Sequence, residues 1–176
     1  MNKKTIITLL LFLGTQVVWG QQLTASWDKW QFLIGEWVGE GHGQPGEGNG
    51  TFSFTPDLDG NILVRKSHTE YPAANNRPAF HHDDLLIVSK NNSGVPSKAI
   101  YFDNENHTIN YNITYAGNSI VFTSDAIQNV PRFRLTYQEL DDKKVNIRFE
   151  MSSPQNPDLF KMYLEGKSIR RINSKQ

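Results

Sequence analysis

Leu33-Ile34-Gly35-Glu36-Trp37-Val38-Gly39-Glu40-Gly41-His42-Gly43 is the stretch that decides the fold. In an extended strand alternate residues share a face, so Gly35, Gly39, Gly41 and Gly43 stand on the same side as Trp37. A face made of glycine packs poorly in an ordinary sheet. It suits a strand that bends sharply or lies against something bulky. One large indole among the glycines suggests a plug at one end of a closed sheet.

Upstream, Trp27, Trp30, Leu33 and Ile34 recur at helical spacing behind Ser26, a good N-cap residue, so one short helix is expected over Ser26 to Leu33. Downstream the period changes to two. Ten strands are expected, at about 36–43, 50–56, 61–71, 80–89, 97–103, 107–115, 119–127, 132–140, 143–152 and 159–170. The clearest carry Ile109, Tyr111, Ile113 and Tyr115; Phe133, Leu135 and Tyr137; and Val145, Ile147, Phe149 and Met151, each set alternating with polar residues. Asp59-Gly60-Asn61, Asn91 to Gly94, Asn104 to Asn106, Ala116-Gly117-Asn118 and Asp141-Asp142 supply turns. Consecutive antiparallel strands with local connections either close or stack as two sheets. Closure removes exposed edges, so an all-β, antiparallel up-and-down barrel with a short N-terminal helix is expected, with a two-sheet sandwich as the competing architecture.

Residues 1–20 read as a signal peptide. Lys3 and Lys4 precede a short apolar core from Ile6 to Leu13, and Val18-Trp19-Gly20 offers a cleavage site. Residues 21–176 then form one domain, exported to the periplasm or beyond the cell. Eighteen basic residues against eighteen acidic ones argue against a nucleic-acid partner. No stable membrane insertion is expected after cleavage. The chain has no cysteine, which excludes disulfides, thiol catalysis, iron–sulfur clusters and cysteine-ligated zinc.

The helix leading into Gly35-x-Trp37, together with Arg170-Arg171 near the end of the last strand, resembles the lipocalin-like (calycin) barrels. The longer glycine run is similar to the opening of nitrobindin-type haem-binding β-barrels and of related exported lipocalin-like domains. The resemblance implies that a terminal arginine packs across Trp37 at the closed end. Arg171 is the expected partner, provided that a bulge intervenes near Gly166. In the haem-binding relatives the glycines let a flat macrocycle approach, and a histidine on the last strand ligates iron. This chain has Glu165 and Lys167 there and no histidine, so histidine-ligated haem in the manner of those relatives is not expected.

His81-His82-Asp83-Asp84 is the densest titratable cluster. Strand alternation puts His81 and Asp83 on one face and His82 and Asp84 on the other, with His68 and His107 as further candidates. A metal site needs three converging ligands, and the plainer reading is a solvated strand. On the third strand Lys66, His68 and Glu70 share a face and Arg65 takes the other; a buried member of the group could fix a ligand's polar group, and the simpler reading is a solvent-facing strip of an antiparallel strand. No serine–histidine–aspartate motif, phosphate loop or paired-histidine metal motif appears, and the residues name no cofactor.

The favoured function is a small-molecule binder holding an apolar or amphipathic ligand, with Trp37, Gly39, Gly41, His68, His82, Tyr111 and Arg171 as candidate contacts. Turns near Pro72 to Pro78 and Asn91 to Pro96 are expected to gate its wide end. The alternatives are a metal- or haem-dependent enzyme built on the His81 cluster, and a filled barrel with a structural or partner-binding role.

Overall fold

A computed structural model describes residues 25–41, 49–74 and 77–172. Ten strands follow one another: β1 (Gly35–Gly39), β2 (Asn49–Asp57), β3 (Ile62–Tyr71), β4 (Phe80–Lys90), β5 (Pro96–Asp103), β6 (Thr108–Ala116), β7 (Ser119–Ser124), β8 (Arg132–Asp141), β9 (Lys144–Ser152) and β10 (Lys161–Arg170). Each pairs antiparallel with its neighbour in sequence, and β10 returns to β1, closing the barrel. The architecture is compatible with a lipocalin-like fold. Alternation carries it: Tyr111, Ile113, Ile120, Phe122, Leu135 and Tyr137 are buried inside, while the residues between them face outward. Among the described residues no helix is long and apolar enough to cross a membrane.

The first element is a 3-10 helix, Ala25–Trp30, rather than a helix reaching Leu33. Tight bonds from the Leu33 and Ile34 amides to the Trp30 carbonyl wind the chain into β1. Strand β1 ends at Gly39; His42 and Gly43, expected to extend it, lie outside the described residues.

The meander gives the barrel two unlike ends. Strands β2, β4, β6 and β8 finish at one end, where the connections 58–61, 91–95, 117–118 and 142–143 lie; β1, β3, β5, β7 and β9 finish at the other, where 104–107, 125–131 and 153–160 lie. The first end is closed. Trp27 and Trp30 are both 0% exposed and meet edge to face at 5.8 Å. Trp30 also meets Phe54 at 6.1 Å and Phe122 at 5.8 Å. The indole nitrogens are satisfied: Trp27 donates to the Gly60 carbonyl, Trp30 to the Tyr115 hydroxyl and Trp37 to the Leu33 carbonyl.

The expected arginine cap exists, but Arg170 makes it rather than Arg171. Arg170 lies directly opposite Trp37 in the β1–β10 register, so their side chains share a face. Its guanidinium stacks 4.5 Å from the Trp37 ring and donates to the carbonyls of Ile34 (2.6 Å), Phe32 (2.8 Å) and Asp142 (3.1 Å). The register break on β10 lies between Met162 and Leu164, upstream of Gly166, so it does not alter the parity between Gly166 and Arg170. Arg171 points outward to Glu36 at 3.3 Å. Gly35 makes room for the cap: its φ of +124° disfavours a side chain, and a Cβ there would sit 3.0 Å from Arg170 Nη1.

The two expected gates are on opposite ends. Strands β3 and β4 run in opposite directions, so the connection after Tyr71 is at the open end, whereas Asn91 to Val95 is at the closed end. There Lys90 Nζ donates to the Gly60 carbonyl.

Candidate functional site

Inward-facing residues change character along the barrel axis. Toward the closed end Phe54, Leu63, Leu86, Val88, Ile120, Phe122 and Val145 are sealed from solvent. Toward the other end the inward positions of the wall stay partly wet. Leu164 pairs with Phe149, and Phe149 with Leu135, which places Leu164 on the interior side; it is nevertheless 51% exposed. Gly166, opposite Ile147, also faces in, and a Cβ built there would have nothing within 4 Å. Phe133, Ile147 and Phe149 are only partly buried. The barrel is therefore a cup: solid at the tryptophan end and accessible at the end bearing the long loops.

The cup has two kinds of wall. Strands β8–β10 offer Phe133 and Phe149, stacked at 5.8 Å, with Ile147, Leu164 and the bare Gly166. Among the described residues β10 is paired only with β9 from Lys161 to Gly166, because β1 meets it no earlier than Ser168 in register. The rim on this side is also apolar: Ile127, Val130, Leu159 and Tyr163 are exposed.

Strands β3–β5 form the polar wall. His82 Nε2 lies 3.0 Å from the Tyr101 hydroxyl, and its Nδ1 lies 3.2 Å from Glu105. The Tyr101 hydroxyl donates to Asp103 at 3.3 Å. Asp103 is tied down in turn: burial pushes its carboxyl up, but hydrogen bonds from the His107 backbone and ring and from the Glu105 amide hold it below the usual range.

Between cup and core sits a buried charge pair. Arg65 Nη1 lies 3.0 Å from Asp84 Oδ1, and the two side chains are 11% and 6% exposed. The guanidinium rests between the Phe52 and Tyr137 rings, at 5.7 and 5.9 Å. Burial opposes its charge, but Asp84 and the surrounding groups more than offset that, so Arg65 stays protonated. Burial also raises the Asp84 carboxyl above the ordinary range, against the pull of Arg65. It pushes the phenol of Tyr137 up to about 12, and those of Tyr101 and Tyr111 higher still, so all three remain neutral hydroxyls. Arg65 Nε, Asp84 Oδ1 and the Tyr137 hydroxyl are buried without a hydrogen-bond partner.

The sequence-derived candidates divide sharply. Trp37 and Tyr111 are buried inside, and His82 lies on the inner wall. Gly39 sits on β1, where an added Cβ would make ordinary contact with the Gly50 carbonyl oxygen at 3.4 Å; Gly41 is exposed beyond the strand. His68 is outside, paired with Asp83 at 2.5 Å, and Arg171 is outside beside Glu36. The His81–Asp84 run splits by parity. His81 and Asp83 join His68 on the outer face, whereas His82 and Asp84 join Arg65 within. No group of three or more histidines or carboxylates among the described residues is arranged to hold a metal ion.

Haem fits poorly in the manner the glycine run suggests. On β10, Glu165 is bound to Arg148 on the outer surface at 3.0 Å, and the inward residue beside it is Gly166, which has no donor. Two depressions apart from the Leu164–Gly166 wall are open grooves: one of about 250 Å³ across the outside of β1–β3, including Glu36, Lys66, His68 and Arg171, and one of about 280 Å³ beside Phe32 and Tyr115.

Arg65 is the functional candidate that sequence reasoning left among solvent-facing residues. The signal was present: it shares parity with Leu63, whereas Lys66 alternates with both. No model of a known protein family and no curated protein matches the chain.

Proposed function

We propose that the protein binds a small amphipathic molecule in the cup, with the ligand's apolar body against β8–β10 and its polar end toward β3–β5. The observation that carries this reading is the inward but solvent-exposed pair Leu164 and Gly166 above a sealed aromatic core. A barrel filled for purely structural reasons would close over such positions. The proposal includes export, with cleavage after Gly20. It also includes kinship with the nitrobindin-type barrels, supported by Gly35-x-Trp37 with Arg170 across the indole, but not their iron chemistry.

Gly166→Leu tests the site without attacking the fold. The added side chain enters free space, so stability holds, while the cup is filled. Titration with the neutral fluorophore N-phenyl-1-naphthylamine should give saturable enhancement in the natural protein and little in Gly166→Leu. Equal enhancement in both, or none in the natural protein, would overturn the proposal. Mass determination of the protein from its own host checks the Gly20 cleavage.

A further inference from the structure

The cup floor has an uneven hydrogen-bond balance. Two of its unpartnered buried atoms, Arg65 Nε and the Tyr137 hydroxyl, carry protons to donate. The third, Asp84 Oδ1, can only accept while the carboxylate is ionised. Asp84 also serves Arg65 poorly: Nη1 comes within 3.0 Å of Oδ1 without a hydrogen bond to it, and the remaining bond, Nη2 to Oδ2, is stretched to 3.4 Å. A buried guanidinium usually holds its carboxylate with two short, parallel bonds. Arg134 and Glu150, on the outer wall of this barrel, do so at 2.7 Å for both. The inner pair is a loose pair with donors to spare.

From this geometry we infer that the ligand is an apolar molecule bearing one carboxylate, which takes Arg65 from Asp84 while Asp84 picks up a proton. This rests on the cup reading above. The ligand's carboxylate accepts from the guanidinium, with the Tyr137 and Tyr111 hydroxyls as neighbouring donors. Its apolar body runs along Phe149 and Leu164 toward the mouth. Two carboxylates cannot both stay ionised beside one buried guanidinium, so one of them takes a proton from solvent. Asp84 is the one that does: burial already favours its neutral form, and the proton gives Oδ1 or Oδ2 a donor. The groups facing Asp84 are consistent with this. They are Arg65 and Ser67 on β3, His82 on β4, Tyr101 and Asp103 on β5, Tyr111 on β6 and Tyr137 on β8; Arg65 is the one permanent cation among them, and the three phenols are neutral. Binding therefore carries proton uptake, and affinity falls as pH rises.

The test compares decanoate, decan-1-ol and decylamine, which share one tail, by calorimetry on the full mature protein. Measuring decanoate at pH 7 in phosphate and in Tris, whose ionisation enthalpies differ, counts the protons taken up. Decanoate is expected to bind about tenfold or more tighter than the alcohol or the amine, with proton uptake approaching one. Asp84→Asn is expected to bind decanoate about tenfold tighter at pH 8, with the uptake abolished. Arg65→Gln is expected to lose the preference for decanoate while keeping decan-1-ol. If Arg65→Gln does not fold, Asp84→Asn and the proton count decide alone. Decan-1-ol binding as well as decanoate, or decanoate binding without proton uptake, would overturn this inference and leave the cup intact. Failure of all three ligands and of the naphthylamine would remove the cup reading as well.

Discussion

The two ends of this barrel are built from the same alternating strands and finish differently. At the tryptophan end every inward position is filled and every indole N–H is bonded; at the other end Leu164 and Gly166 face inward with space before them. The closed end uses turns as short as 117–118 and 142–143, and the open end uses connections as long as 125–131 and 153–160. Strand pairing alone therefore does not fix whether a barrel is solid or hollow. The 3-10 helix decides it at one end by delivering Trp27 and Trp30, and at the other end no described element delivers a counterpart. Sealed packing is concentrated at one end, and inward positions open to solvent at the other.

The largest effect expected is from Trp30→Ala. It removes a fully buried indole with three aromatic partners and a hydroxyl acceptor, and should cost about 4 kcal/mol in urea unfolding. A cost below about 1 kcal/mol would break the claim that this end carries the core. Arg170→Met should cost about 3 kcal/mol, because three backbone carbonyls lose a charged donor and the indole loses its cation.

An effect of about 1 kcal/mol is expected at Glu150, on the outer wall toward the open end, where Arg134 holds the carboxylate. Its hydrogen bonds to Arg134 lower the folded-state pKa. The contribution is therefore present above the unfolded-state carboxylate pKa and is lost as pH falls through the lower folded value. Glu150→Gln should be less stable than the natural protein at pH 7, and the difference should shrink toward pH 3; a gap independent of pH would contradict the assignment.

Leu164→Ala should cost less than about 1 kcal/mol, since half of the side chain is already wet, yet weaken the naphthylamine complex several-fold. Loss of stability without loss of binding would reverse the comparison between the ends. The smallest effect belongs to Arg171→Met, within about 0.5 kcal/mol, because an exposed pair with Glu36 is all that it breaks. Measured beside Arg170→Met, it separates two adjacent arginines that composition alone cannot tell apart.

The fold was legible because nearly every strand obeys the two-residue period. Ile109 to Tyr115 and Val145 to Met151 show their inner and outer faces by residue type, and glycine-, asparagine- and aspartate-rich turns separate them. Parity also separated His81 and Asp83 from His82 and Asp84 correctly. Parity fails where a bulge intervenes, and bulges leave little trace in sequence. Placing one at Gly166 pointed to Arg171, whereas the break between Met162 and Leu164 leaves Arg170 inward. Gly166 marks an empty inner position instead. The floor was hard to see for a different reason. Arg65 and Asp84 are residues of types usually exposed, and their nineteen-residue separation becomes proximity only through the β3–β4 pairing. The gates were misjudged because successive connections of a meander alternate between ends, so Pro72 to Pro78 and Asn91 to Pro96 cannot guard one opening.

The most direct test of the account is a map of amide and methyl NMR shifts during titration with decanoate. The account predicts saturable changes at Phe149, Leu164, Gly166, His82 and Tyr101, fading toward Trp27 and Trp30. Changes centred on the outer groove around Glu36, Lys66 and His68, with the inner wall unmoved, would contradict it.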